Sequence, residues 1–276
     1  MAVLLDNLCF AEGPRWRDGK LWFSDMHDHS VCTVTPSGQK EVVLTLQDDQ
    51  PSGLGWLPSG DLLVVSMTRR QLLKFDGSQL TVYADLSDLA PWHCNDMVVD
   101  RHGRAYVGNF GFDLHAQGKP TTTNLLRVDL DASVQVVADG LFFPNGAIIT
   151  PDEQTLVIAE TFGRALTAFD IEPNGDLTNR RTWAQLPEGA VPDGICLDAG
   201  GGIWSASPSS NECIRQVEGG EVTHRIDTGR GAFACMIGDD NLYVLTASSS
   251  DPEQCRTNSD SRIEVYPAPY PAAGYP

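Results

Sequence analysis

Three observations predict an all-β chain folded as a six-bladed β-propeller: six copies of one short unit, strands alternating with tight turns from end to end, and no stretch with apolar residues at helical period over three turns. The copies read EGPRWRDGKLWFSD, SGLGWLPSGDLLVVS, NDMVVDRHGRAYVGN, NGAIITPDEQTLVIAE, DGICLDAGGGIWSAS and ACMIGDDNLYVLT. They begin at Glu12, Ser52, Asn95, Asn145, Asp193 and Ala234, spacings of 40 to 50 residues that match the length of a propeller blade. Within each copy a small-residue motif opens an inner strand, and a turn of the type RDGK, PSGD, RHGR or PDEQ reverses the chain. A second strand returns, and a third follows, such as VCTV, QLLKFD, NLLRVD, ALTAFD, CIRQV or RIEVY. A β-sandwich would not repeat a motif six times. The sixth copy lacks an outer strand, and Ala2–Leu5 is expected to supply it, closing the ring and making residues 1–276 a single domain. The Pro-rich C-terminal tail is expected not to pair.

Composition narrows the functional classes. Nineteen Lys and Arg against 37 Asp and Glu give a formal charge of −18, which argues against a phosphate-tracking nucleic-acid surface or a polybasic membrane attachment. No apolar run approaches the ~20 residues of a membrane helix, and MAVLLDNLCF has no basic region preceding an apolar segment. Seven dispersed cysteines without a CxxC pair fit reduced thiols. These features describe an acidic cytoplasmic protein, a monomer or small homo-oligomer, with no nucleic-acid or membrane partner.

The repeat also maps a site. Six motifs converge at one mouth of the central channel, ringed by loops at 26–30, 67–71, 110–124, 161–164, 208–212 and 248–261, the longest of which are suited to act as lids. Four motif-opening residues, Glu12, Asn95, Asn145 and Asp193, carry side-chain oxygens, although Asp and Asn are poor strand formers. Asn-Gly and Asp-Gly are ordinary turn dipeptides singly. In register across the copies, they point instead to a bound divalent cation that offsets the cost of burying carboxylates. Ca²⁺, Mg²⁺, Mn²⁺ and Zn²⁺ remain open.

At AEGPRW (11–16), NDMVVDRHGRAYVGN (95–109), FPNGAIITPD (143–152) and PDGICLD (192–198), the chain resembles the senescence-marker/gluconolactonase family of six-bladed propellers, the regucalcin-like lactonases. That resemblance implies Glu12, Asn145 and Asp193 as cation ligands and Asn95 as a further ligand or a substrate contact. It places His93 where the family's lactonases have a basic residue, and Asp113 at an acidic lid position that contacts substrate. His in place of Arg and Asp in place of Glu depart from the sugar-lactonase pattern, and NFGFD at 109–113 is similar to a bacterial branch of the family with largely unassigned substrates.

The implied reaction is hydrolysis of a lactone. The cation polarises the carbonyl and stabilises the tetrahedral oxyanion, while Asp193 orients or deprotonates the attacking water. A water already ionised by the cation, with Asp193 as its acceptor, fits equally. His93 is suited to shuttle a proton or donate to the carbonyl, and equally to pack in its loop. Two other functions fit the same residues: an organophosphate-hydrolysing propeller, whose Glu, two Asn and Asp are reproduced here, and a non-catalytic propeller binding calcium or protein.

Other features carry less. Asp25, His27, Asp28 and His29 read as a solvated turn rather than a transition-metal site or a substrate rim. Ser52 lacks a GxSxG context. Cys94 and Cys235 read as buried neutral thiols, Trp16, Trp22, Trp56 and Trp204 as blade packing, and Gly200–Gly202 as a turn.

Overall fold

The computed structural model describes residues 2–114, 116 and 118–276. After β1 (Ala2–Leu8), the first blade is formed by β2 (Ala11–Arg17), β3 (Lys20–Asp25), β4 (Ser30–Val34) and β5 (Lys40–Thr45). The second contains β6 (Pro51–Trp56), β7 (Leu62–Ser66), β8 (Gln71–Phe75) and β9 (Leu80–Asp85). The third contains β10 (Cys94–Val99), β11 (Ala105–Asn109), β12 (Thr123–Val128) and β13 (Val134–Leu141). The fourth contains β14 (Pro144–Ile149), β15 (Thr155–Glu160), β16 (Ala165–Ile171) and β17 (Leu177–Gln185). The fifth contains β18 (Ile195–Leu197), β19 (Ile203–Ser207), β20 (Glu212–Gln216) and β21 (Val222–Asp227). The sixth takes β22 (Gly231–Gly238), β23 (Asn241–Ala247) and, after helix α1 (Pro252–Asn258), β24 (Ser261–Pro267). Its outermost strand is β1, antiparallel to β24 with Ala2 opposite Val265 and Leu8 opposite Ser261. The ring is therefore closed by pairing the two ends of the chain, as the sequence predicts for Ala2–Leu5, with a strand three residues longer.

Burial follows strand position. The inner strands β10 and β14 are buried along their whole length, whereas the outer strands β5 and β21 are largely exposed. An inner strand has a neighbouring blade on each face, so it reads as a continuous small or apolar run. Blades interlock through aromatic pairs: Trp16 stacks on Tyr243 at 5.4 Å, joining the first blade to the sixth, and Trp22 meets Trp56 edge-on at 5.3 Å, joining the first to the second. All seven cysteines are free, and burial pushes the Cys94 thiol up to about 12. No helix among the described residues is long and apolar enough to cross a membrane.

The C-terminal tail departs from expectation. Tyr275 exchanges backbone hydrogen bonds with Ile149, each at 2.9 Å, and the Ala199 and Ala273 N–H groups donate to Pro271 and Leu197. The segment thus crosses the ends of β14 and β18 remote from the motifs. Proline withholds its own N–H but leaves its carbonyl and its neighbours free to pair.

Crowding at the axis explains the glycines that follow the motif residues. A Cβ on Gly146 would lie 2.6 Å from the Ile195 nitrogen, and one on Gly194 would lie 2.7 Å from the Ala234 Cα. Neither glycine serves a turn; each lets one inner strand approach the backbone of the next. Gly194→Ala is accordingly expected to destabilise the protein by about 1–3 kcal/mol, read as a lower denaturation midpoint.

Candidate functional site

The inner strands begin irregularly, and this aims the motif side chains. Register shifts fall between Glu12 and Arg15, Pro51 and Leu54, Cys94 and Met97, Pro144 and Ala147, and Ala232 and Ala234. In the fifth blade the ladder starts only after Asp193, at Ile195. A bulge releases a residue from the alternation of the pleat and redirects its side chain. Asn95 and Asn145 fall inside such shifts, Glu12 pairs with Ser24 immediately before one, and together with Asp193 they line one cavity of 180 Å³ at the channel mouth. In the second and sixth blades, where the motif residues are Ser52 and Ala234, the lining residues are Gln50 and Phe233.

The floor of the cavity is a crowded set of oxygens. Asn145 donates its amide N–H to Asp193 Oδ1 and, at 3.2 Å, to the Thr161 hydroxyl, which itself donates to the Pro192 carbonyl at 2.9 Å. Both of these bonds use the amide nitrogen, which leaves the amide oxygen available as an acceptor or ligand. The Gly13 N–H donates to Glu12 Oε2 at 3.0 Å, and Asn95 reaches the Pro144 carbonyl at 3.5 Å. Burial raises the pKa of Glu12 well above the carboxylate range, with Asp193 adding repulsion. Burial likewise raises Asp193, against the opposing hydrogen bond from Asn145.

Beneath this floor Arg15 is 3% exposed and donates to Asp96 at 2.6 Å and to the carbonyls of Pro14, Leu54 and Met97. Glu12 feels Asp193, Asp96 and Arg15 together. Three carboxylates and one guanidinium leave two excess negative charges when all are ionised, a deficit that one divalent cation would match. The donor set of two carboxylates and amide oxygens suits a hard cation. Among the described residues no three His, Cys, Asp or Glu side chains group as a metal site, so the set depends on its asparagines.

The walls differ in character from the floor. Every one of the six loops anticipated at the mouth contributes: Met26 and His27, Met67, Phe110 and Leu114, Thr161 and Phe162, Pro208, and Ser250. With Phe10, Phe143 and Phe233 they make a largely apolar enclosure. Phe110 stacks on Phe143 at 4.6 Å, Phe143 meets Phe162 edge-on at 5.2 Å, and Phe10 meets Phe233 edge-on at 4.9 Å.

The other anticipated residues fall elsewhere. His93 packs on Trp92 at 5.1 Å and against Phe110 at 6.0 Å; Phe110, not His93, lines the cavity. Asp113 accepts the Ala116 N–H at 2.9 Å within its own loop, and the neighbouring Leu114 faces the cavity. In that loop His115 and Gln117 lie outside the described residues.

The DMHDH segment corrects the expectation of a solvated turn. His27 is 3% exposed, lines the cavity, stacks on Phe10 at 5.2 Å and lies 3.4 Å from the Ser250 carbonyl. His29 Nδ1 instead meets the Asp49 carbonyl at 2.6 Å, Asp25 accepts the Phe10 N–H at 2.8 Å and Asp28 accepts the Ser30 hydroxyl at 3.2 Å, so the four residues do not act as one cluster. Local spacing gave no sign of this, because the contacts of His27 come from the sixth-blade loop and from Phe10.

The SMP-30/Gluconolactonase/LRE-like region matches residues 10–248. The chain belongs to this family. Pentonolactonase XacC of Haloferax volcanii is 32% identical over 88% of the chain and 84% of its own length. Regucalcin of Gallus gallus is 28% identical over 89% and 85%. A gluconolactonase of Xanthomonas campestris superposes with a TM-score of 0.76 at 25% identity, covering 96% of this chain and 89% of that one. A luciferin-regenerating enzyme superposes with a TM-score of 0.81 over 98% and 96% at 20% identity, a likeness of fold alone.

Two predictions follow from the electrostatics. Glu12→Gln removes one member of the repelling carboxylate set. It should raise the melting temperature of cation-free protein at pH 8, by about 2–4 °C per kcal/mol of repulsion relieved, and should abolish the further rise that a divalent cation gives the wild type.

Asp49 behaves oppositely. Burial works to raise its pKa, but hydrogen bonds from Ser66, Thr68 and the backbone N–H groups of Gln50 and Thr68 outweigh it and hold the carboxyl below its usual range. A depressed folded-state pKa gives stability that is present above the unfolded value and lost as pH falls through the folded one. Asp49→Asn should therefore cost roughly 1–2 kcal/mol at pH 7. That cost should vanish in the acid range below about pH 4, as measured by denaturation across pH.

Proposed function

We propose that the protein is a divalent-cation-dependent lactonase. The observation that carries this reading is the convergence of Glu12, Asn145 and Asp193, with Asn95 beside them, on a cavity whose buried carboxylates are under-compensated by Arg15 alone. Family membership and the lactonases among the relatives support the same reaction class.

In this reading Glu12, Asn145 and Asp193 would hold the cation, which would supply positive charge to offset the carboxylates and polarise the ester carbonyl. Asn95 presents its amide to the substrate ring and fixes the carbonyl over the floor. Asn145 and Thr161 hold the Asp193 carboxylate in one orientation through the contacts described above. Asp193 accepts a proton from the attacking water as the water oxygen bonds to the carbonyl carbon. The ring carbon–oxygen bond then breaks, and the proton held at Asp193 passes to the departing ring oxygen, yielding a hydroxy acid. The phenyl walls exclude bulk water, which strengthens each electrostatic contact at the floor.

The experiment is turnover of a lactone panel by cation-stripped protein with Ca²⁺, Mg²⁺, Mn²⁺ or Zn²⁺ added back singly. Cation-dependent ring opening is expected. Asp193→Asn and Asn145→Ala should each lower kcat/KM by about 100-fold or more while circular dichroism stays unchanged. Wild-type turnover in both variants would overturn the assignment.

A further inference from the structure

We propose that the lactone this site accepts carries an alkyl or aryl substituent and is not a polyhydroxylated sugar lactone. This rests on the lactonase reading and deepens it. The contrast between floor and wall carries it.

Above the oxygens, the surfaces that would meet a ring and its substituent belong to Phe10, Phe110, Phe143, Phe162, Phe233 and Leu114, with Met26 and Met67 between them. Most of these form one apolar cluster at the mouth, separate from the clusters that hold the blades together. Among the described residues, polar wall side chains are few. The Thr161 hydroxyl is shared between Asn145 and the Pro192 carbonyl, and Ser250 turns its carbonyl to His27. Gln50 is the remaining amide on the wall among the described residues. A sugar lactone bears hydroxyls around its ring, and each one pressed against a phenyl face without a partner costs about tenfold or more in affinity. A methylene in the same place gains about fourfold.

Phe162 adds a second, independent observation. It stands on the 161–164 loop, 40% exposed, although Phe112, Phe142 and Phe143 all lie within 6.3 Å of it. An aromatic ring left partly in water at the lip of a cavity is a cost in the free protein that an apolar substituent relieves on binding. At 180 Å³ the cavity is also smaller than the ~300–1,000 Å³ of drug-sized sites, which suits a small ring with a short chain.

The test compares three five-membered rings on cation-loaded wild-type protein: γ-valerolactone, γ-nonalactone and xylono-1,4-lactone. The pentyl lactone is expected to exceed the methyl lactone in kcat/KM by about 50-fold or more, and the sugar lactone by at least as much. Phe162→Ala should reduce the pentyl-to-methyl ratio about fivefold or more, and Leu114→Ser provides a second truncation should Phe162→Ala fail to fold. Calorimetry with the corresponding lactams, 5-pentyl- and 5-methylpyrrolidin-2-one, should give the same ranking on cation-free protein without turnover. Sugar-lactone turnover equal to or above that of the pentyl lactone would overturn the apolar substrate class and leave the lactonase reading standing. No turnover of any of the three with any of the four cations would overturn the lactonase reading, and the substrate class with it.

Discussion

The structure is organised around carboxyl groups gathered at the propeller axis, where burial opposes their ionisation. Glu12 and Asp193 come from the first and fifth blades, and Asp96 from the third. They stand within interaction range of each other, with one guanidinium, Arg15, among them. A fold seeking only stability would place apolar side chains here, since buried carboxylates raise the free energy unless neutralised. Arg15 does part of that work. Its five-donor fork serves Asp96 and three carbonyls, tying the first blade to the second and third directly beneath the floor. The carboxylates it leaves uncompensated are the feature on which the proposed cation site rests.

Bringing these groups together needs the inner strands to crowd the axis while their ladders shift at or just after the motif residues. Gly146 and Gly194 allow the crowding, since a Cβ at either would overlap the next strand. The recurring register shifts provide the change of direction. The glycine and the bulge therefore act jointly: close approach sets the distance between blades, and the bulge sets the direction of the side chain. Closure of the ring by β1 holds these distances constant, because no blade can drift without opening a sheet.

Around this polar floor the loops supply a wall of opposite character. Phenyl rings from several blades stack edge and face at the mouth, in a cluster independent of the blade cores. The separation lets the wall vary without disturbing the barrel of strands beneath. It also divides the cavity, with oxygen-bearing side chains on the floor and apolar ones on the wall. At the far end, the tail pairs with Ile149 and Leu197 and covers part of the opposite face.

Much of this was legible in the chain. Repeat spacing and the turn motifs determined the six blades, and the incomplete sixth copy determined that Ala2–Leu5 must close the ring, because both are matters of local pattern. The same register identified Glu12, Asn95, Asn145 and Asp193, since a polar residue at a strand start is conspicuous wherever it recurs. Local pattern says nothing about neighbours distant in sequence. His27 looked like a turn residue and is buried because Phe10 and the Ser250 loop enclose it. Asp113 and His93 stood at plausible positions, yet their loops face Leu114 and Phe110 inward instead. The proline-rich tail looked unable to pair, and pairs through the residues between its prolines. Sequence determined which groups exist and how often they repeat; only the closed ring decided which of them share one cavity, because that proximity arises from contacts between blades that no single repeat contains.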